Sequence, residues 1–282
     1  MKQAKIIILA GQSNMVGVGH LKCLPKHFSP EKIKEYYDGY PSIQINYFSH
    51  DKKSDGFVKT TVGCTEISKD TLGPEVGMAE YFTQKYPGEE IFFVKCAFGG
   101  SNLFNDWMSP SSGGRYDAEA YYDNRVCAPE GAEAYIRAGW CYNELIKILG
   151  ESIQILKDKG YEPIVKAFCW MQGEGDADIM PHVEEYERKY SNLISDMLSE
   201  FGEYFEGCVY VDGGISDMWA LYNEINQIKQ LHAQNNRNSF YVDTIGAGLT
   251  TAYEPEEEPD TAHYDCDCVI KLGRLFAEKI EL

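Results

Sequence analysis

Four short clusters in this chain hold residue types that can do acyl-transfer chemistry. They are Gly11-Gln12-Ser13-Asn14, Gly99-Gly100-Ser101, Gln172-Gly173-Glu174 and Asp260-Thr261-Ala262-His263. A serine hydroxyl is a weak nucleophile until a base takes its proton. A histidine can act as that base, and a carboxylate can fix its tautomer and stabilise the imidazolium. The three-residue step from Asp260 to His263 lets the carboxylate reach Nδ1 and leaves Nε2 facing outward, towards Ser13. Attack on an ester carbonyl creates an oxyanion, which needs donors already in place. The Ser13 N–H, an N–H of Gly99 or Gly100, and the Gln172 side-chain amide can supply three. Each cluster has a plainer reading. Ser13 could simply cap a helix, the glycine pair could be a turn, Gln172 could satisfy loop backbone, and a lone DxxH arises often by chance.

The elements that would carry these clusters make the joint reading stronger. Ile6 to Ala10 is a continuous apolar run with β-branched residues and ends at Gly11, as a strand buried on both faces does. Glu90 to Ala97 ends at Phe98-Gly99-Gly100, and Pro163 to Met171 ends at Gln172. Further strands are expected at 43–48, 208–211 and 240–242, and helices at 73–85, 131–159, 183–201 and 217–236. A last helix carries Val269, Leu272, Leu275, Phe276 and Ile280 on one face. Residues 49–72 and 105–129 read as loops. Strands alternating with helices imply βαβ units and a mostly parallel sheet. All strand carboxyl ends then lie on one edge, where open α/β sheets bind ligands. With no repeat, linker or break in composition, residues 1–282 read as a single domain.

Lys and Arg number 26 against 44 Asp and Glu, a formal net charge of −18. Such a chain repels phosphate backbones and anionic bilayers, so neither nucleic acid nor a membrane is an expected partner. No apolar run approaches the roughly twenty residues of a membrane helix. The nine cysteines include no CxxC and sit mostly in apolar surroundings, as reduced thiols do. The first strand starts close to Met1, so no leader is visible and the expected compartment is the cytoplasm; a leader already removed would instead mean a secreted protein. Oligomeric state is not legible.

The combination of GQSNMVG, KCAFGGSNL with Trp107, WMQGEGDA at 170–177, and DTAH followed by YDCDCVIKLGRLFAEKI runs in order over nearly the whole chain. It resembles the SGNH (GDSL-like) hydrolases, and within them the sialate O-acetylesterase and acetylxylan esterase branch. The resemblance implies a flavodoxin-like three-layer α/β/α sandwich and a serine carbohydrate esterase without metal or other cofactor. By position, Ser13 becomes the nucleophile, His263 the base and Asp260 its orienter. Gln172 stands where other SGNH enzymes place an oxyanion-hole asparagine, beside the Ser13 N–H and a second-block glycine at Gly99 or Gly100. Gln12, Asn14 and Glu174 fall into a supporting shell. Related sequences often carry histidine and serine where this chain has Met171 and Gly175, and loops 49–72 and 105–129 match nothing familiar.

The remaining candidates are weaker. Glu174 and Asp176 could be the carboxylate pair of a glycosidase, but Glu174 is better read as bracing the Gln172 loop through backbone N–H groups. Asp265, Cys266, Asp267 and Cys268 look like metal ligands but open a helix, where acids are ordinary. Trp107, Tyr116, Tyr121, Tyr122 and Trp219 suit either sugar stacking or packing. Of the other histidines, His20 is at most a substrate contact and His232 reads as structural. The expected function is removal of O-acetyl groups from a carbohydrate, sialic acid or an acetylated xylan or oligosaccharide, through an acyl-enzyme. Its rivals are an SGNH thioesterase or lipase and a silent carbohydrate-binding protein.

Overall fold

In the computed structural model, residues 2–49, 52–64, 70–114, 138–251 and 253–282 are described. Its frame is an eight-stranded sheet built on β1 (Lys2–Gly11). Ile6 to Ala10 are completely buried, because neighbours cover both edges and helices cover both faces. Around β1 lie β3 (Tyr40–Ser49), β7 (Ile91–Ala97), β8 (Tyr161–Met171), β9 (Val209–Gly213) and β10 (Ser239–Val242), all parallel, in the order β10-β9-β8-β1-β7-β3. Without the added edge strand β3, β7-β1-β8-β9-β10 has the flavodoxin order 2-1-3-4-5, whose switch point lies where the chain departs β1 to either side.

Register places the chemistry. Gly11 is level with Ala97 on one side and with Met171 on the other. The segments that follow these three residues therefore emerge side by side on one edge.

Helices α4 (Glu75–Lys85), α5 (Trp140–Asp158), α6 (Met180–Phe201), α7 (Tyr222–Asn235) and α8 (Cys266–Ala277) flank the sheet. α5 and α6 turn apolar stripes inward: Leu145, Ile148, Leu149 and Leu156 on α5, and Tyr186, Tyr190, Leu193 and Met197 on α6, are buried. α4 and α8 approach closely because glycine faces the partner's backbone; a Cβ on Gly273 would lie 1.9 Å from the Pro74 carbonyl oxygen.

Several expectations change. Residues 49–72 are not simply loop: β4 (Lys52–Lys53) and β5 (Val58–Thr60) pair antiparallel with β3, and β6 (Thr71–Leu72) pairs with β2 (Gly19–His20). Short edge strands are held by backbone pairing and need no apolar alternation, so their pattern is silent in sequence. The expected helix at 217–236 begins only at Tyr222. Ahead of it, the Leu221 N–H donates to the Ala177 carbonyl at 2.7 Å and the Ala220 N–H to Asp178 Oδ1 at 3.3 Å, and these lateral bonds replace the first helical turn. Three short helices follow β1: α1 (Ser13–Val16), the helix expected after the serine turn, and α2 (Leu24–His27) and α3 (Pro30–Asp38), which were not expected. The Ser29 hydroxyl caps α3 by accepting from the Lys32 N–H at 3.3 Å, with Pro30 at its first position. The first part of the expected 131–159 helix lies outside the described residues, and α5 begins at Trp140.

Candidate active site

Ser13 opens α1 immediately beyond the central strand. The turn that presents it requires glycine at position 11, where φ is +147° and a Cβ would sit 1.9 Å from the Met171 carbonyl oxygen. It is clamped from both sides: the Gln12 N–H donates to the Met171 carbonyl (2.8 Å), and the Phe98 N–H donates to the Gly11 carbonyl (3.0 Å). At the far end of α1, Lys95 Nζ donates to the Val16 carbonyl at 2.9 Å and pairs with Glu75 at 2.5 Å. Both ions are fully buried, and burial pulls the Lys95 ammonium below its usual range. The single turn bearing Ser13 is thus fixed at both ends. The first N–H groups of a helix have no intrahelical acceptor, which leaves them free for an oxyanion.

The Gln172 loop is held by buried polar groups. Gln12 Oε1 accepts from the Gly175 N–H at 2.9 Å, so Gln12 braces this loop, the role sequence reasoning had given to Glu174. Among the described residues nothing accepts from Gln12 Nε2. Gln172 itself is fully buried. Its Nε2 donates to Asp176 Oδ2 at 2.7 Å and lies at 3.3 and 3.4 Å from Gln12 Oε1 and the Ser101 carbonyl; its Oε1 accepts from Tyr186 at 2.9 Å. The amide is therefore turned into the protein, not presented as an open donor. One hydrogen is committed to Asp176 and the other is only loosely held. The Gln172 carbonyl accepts from Tyr186 (3.0 Å) and from Lys229. Lys229 Nζ also donates to Asp212 (2.7 Å) and to the Gly213 carbonyl (2.7 Å). Burial pushes the Asp212 carboxyl up to about 6, against the opposing pull of Lys229.

Asn14 joins the serine turn to the histidine loop. Its Nδ2 donates to Glu174 Oε1 at 2.7 Å, and its Oδ1 accepts the Tyr264 N–H at 3.2 Å. The neighbour of Ser13 therefore touches the neighbour of His263, across a sequence separation of 250. Burial raises the Glu174 carboxyl, partly offset by Asn14, and Oε2 has no hydrogen-bond partner among the described residues. His263 Nδ1 lies 2.6 Å from Asp260 Oδ2, and Asp260 Oδ1 accepts the Ala262 N–H at 3.0 Å. No hydrogen bond joins Ser13 Oγ to His263 among the described residues; such bonds are often long before substrate is bound. Gly99 is half-buried and Gly100 exposed at φ +67°, in a turn closed by the Ser101 N–H on the Phe98 carbonyl at 3.3 Å.

Asp176 does not form a carboxylate pair with Glu174. It accepts from the Leu103 and Phe104 N–H groups at 2.7 and 3.1 Å as well as from Gln172. Trp107 is fully buried, its Nε1 donating to Ser101 Oγ at 2.8 Å, so it packs and cannot stack on a sugar. Trp219 is half-buried, whereas Tyr116, Tyr121 and Tyr122 lie outside the described residues. Sequence reasoning missed the buried ion pairs Lys95–Glu75 and Lys229–Asp212. Lys95 left a signal, a lone lysine inside the apolar run Ile91–Ala97. Lys229 left none: it and Glu224 are the charged pair of α7, and residue type does not say which of them turns inward.

Residues 3–281 match the family described as carbohydrate esterase, sialic acid-specific acetylesterase. The chain belongs to this family. This carbohydrate esterase is thus a hydrolase of carboxylic esters on acetylated carbohydrates, as the resemblance implied. Similar solved structures share its fold. NanS aligns with a TM-score of 0.66 at 16% identity, over 98% of this chain and 96% of its own. A protein from Arabidopsis thaliana aligns at 0.63 and 18% identity, over 98% and 97%. A carbohydrate acetylesterase from Xanthomonas citri aligns at 0.56 and 14% identity, over 98% of this chain and 55% of its own. No curated protein sequence matches the chain.

Proposed function

We propose that this esterase removes O-acetyl groups by a Ser13-His263-Asp260 acyl-enzyme mechanism, with O-acetylated sialic acid or an acetylated xylan or oligosaccharide as substrate. The observation that carries this reading is the 2.6 Å contact of His263 with Asp260 on a loop tied to the serine turn through Asn14. Ser13 Oγ attacks the acetyl carbonyl carbon as its proton passes to His263 Nε2, while Asp260 stabilises the imidazolium. The Ser13 N–H and that of Gly99 or Gly100 receive the oxyanion. Gln172 joins them by releasing its two long contacts, the weakest it makes. Collapse breaks the bond from carbonyl carbon to sugar oxygen, and the imidazolium gives its proton to that oxygen. A water, deprotonated by His263, then attacks the acetyl-serine and frees acetate.

The eight described cysteines are all free and buried, which supports the cytoplasm as the working compartment. The deciding experiment is acetate release from acetylated xylan fragments and O-acetyl sialic acid by the wild type and Ser13→Ala. The variant is expected to fold and to lose several orders of magnitude in turnover. A folded variant at near-wild-type rate would remove Ser13 as nucleophile.

A further inference from the structure

The loop bearing Asp260 and His263 contains no helix or strand from 254 to 263, yet the chemistry asks that both side chains be held to a fraction of an ångström. Its neck is closed by three bonds. The Asp265 N–H donates to the Thr250 carbonyl at 2.9 Å, the Thr250 hydroxyl to Asp265 Oδ2 at 2.7 Å, and the Tyr253 N–H to Asp265 Oδ1 at 3.1 Å. Beside this neck sits Glu254, 6% exposed. Its Oε2 accepts the N–H of Cys266, the first residue of α8, at 2.8 Å. Its Oε1 lies 2.7 Å from Nε2 of His27, at the end of α2. Its backbone carbonyl accepts the Asp260 N–H at 3.1 Å.

We propose that Glu254, gripped by His27, is the positioning residue for the Asp260–His263 pair. The proposal rests on the acyl-enzyme reading above. Through its carboxylate Glu254 is bound to two fixed elements, α2 and α8, and through its carbonyl it passes that position to Asp260. Burial alone would raise its carboxyl, but the hydrogen bonds from His27 and the Cys266 N–H outweigh burial and hold it below the usual range. Two further pairs run from the same segment to the same loop, Lys22–Glu257 at 3.0 Å and Lys26–Glu256 at 2.9 Å. Their side chains are 40–78% exposed, so water and salt screen them and they add little. The Glu254 carboxylate, only 5% exposed, is the member of this clasp shielded from solvent.

The test uses the full chain with p-nitrophenyl acetate, recording kcat, KM and thermal unfolding for Glu254→Ala, Glu254→Gln, His27→Ala and His27→Gln. Glu254→Ala is expected to lower kcat at least tenfold with KM within twofold, because a misplaced base affects the transition state and not ground-state binding. Glu254→Gln should recover most of the loss, since a carboxamide oxygen still accepts from Cys266 and its nitrogen still meets His27. His27→Ala should show part of the same kcat loss and His27→Gln should restore it. Lys22→Ala with Lys26→Ala should leave kcat within twofold. Wild-type kcat in folded Glu254→Ala, or a loss confined to KM or to thermal stability, overturns the proposal; should that variant fail to fold, His27→Ala is judged by the same criteria. Asp260→Ala and His263→Ala separate this failure from failure of the triad. If both lose about thirtyfold or more in kcat while Glu254→Ala keeps its rate, the triad stands and the positioning role falls. If both stay within threefold of wild type, the triad reading falls and the positioning role with it.

Discussion

Replacing Asp260 by alanine and by asparagine should give two different losses, and their order follows from the hydrogen bonds. In the proposed mechanism His263 becomes an imidazolium beside the Asp260 carboxylate as Ser13 attacks, with 2.6 Å between Nδ1 and Oδ2. Two unit charges ~4 Å apart interact by about 1 kcal/mol in bulk water and about 4 kcal/mol at an effective dielectric of ~20. The side chains of His263 and Asp260 are 22% and 32% exposed, so the pair lies between these limits, at about 2–3 kcal/mol. Asp260→Ala should therefore lower kcat by about thirtyfold to 150-fold, less than the ~10⁴-fold associated with a fully buried triad aspartate. Asp260→Asn should be worse. Oδ1 accepts the Ala262 N–H at 3.0 Å, so the carboxamide oxygen must stay there and its NH₂ must face Nδ1. The imidazole then carries its proton on Nε2, where the base needs a lone pair. Steady-state kinetics on p-nitrophenyl acetate, on the pH plateau of each protein, measure both. A folded Asp260→Ala within threefold of wild type, or an asparagine variant at least as fast as the alanine variant, would refute the reasoning.

Gln172→Ala should lower kcat roughly a hundredfold to a thousandfold with little change in KM, the usual cost of one oxyanion donor; a defect in KM alone would make Gln172 a ground-state contact. Rates on esters of one alcohol should be highest for acetate and fall by butyrate and hexanoate, because Gly11, Gly99, Gly100 and Gly173 bring no side chain to line a groove. An apolar groove would instead add about 0.8 kcal/mol per buried methylene, so rates climbing through octanoate would refute the short-acyl reading. The Asp212 carboxyl should titrate near 6 in a carbon-13 NMR experiment, raised from 3.8 by burial. An acid with a raised folded pKa stabilises the fold below its unfolded value and loses that contribution as pH rises through its folded value. Asp212 should thus cost the fold about 3 kcal/mol between pH ~4 and above ~6, and a midpoint below 4.5 would contradict this.

Ser13, Gly99 and Gln172 were legible as candidates because each follows a strand whose own pattern is strong, whereas Asp260 and His263 lie in a loop and were legible through residue type and spacing. A run such as Ile6–Ala10 can only be buried, and the polar residues that stop it must then emerge at the sheet edge. What was not legible has two physical sources. The short strands at 52–53, 58–60 and 71–72 rest on main-chain pairing, which is indifferent to side-chain type. Lys229 is buried against Asp212 on a helix whose other charged residue, Glu224, faces solvent, and hydropathy cannot tell which charge turns inward. Trp107 was ambiguous for the converse reason, since an aromatic residue in a loop packs or stacks according to what lies over it.

By itself, the amino-acid sequence determined the α/β layering, the strand ends that carry Ser13, Gly99 and Gln172, and the Asp260-to-His263 spacing, because these depend on local periodicity and residue type. Only the tertiary structure decided that Gly11, Ala97 and Met171 stand level and that Asn14 reaches Tyr264 across the site. It alone turned the Gln172 amide towards Asp176 and gave Glu254 to His27. These are contacts between segments as many as 250 residues apart, set by strand register and by which buried polar group finds which partner. Neither is encoded in the pattern of any one segment.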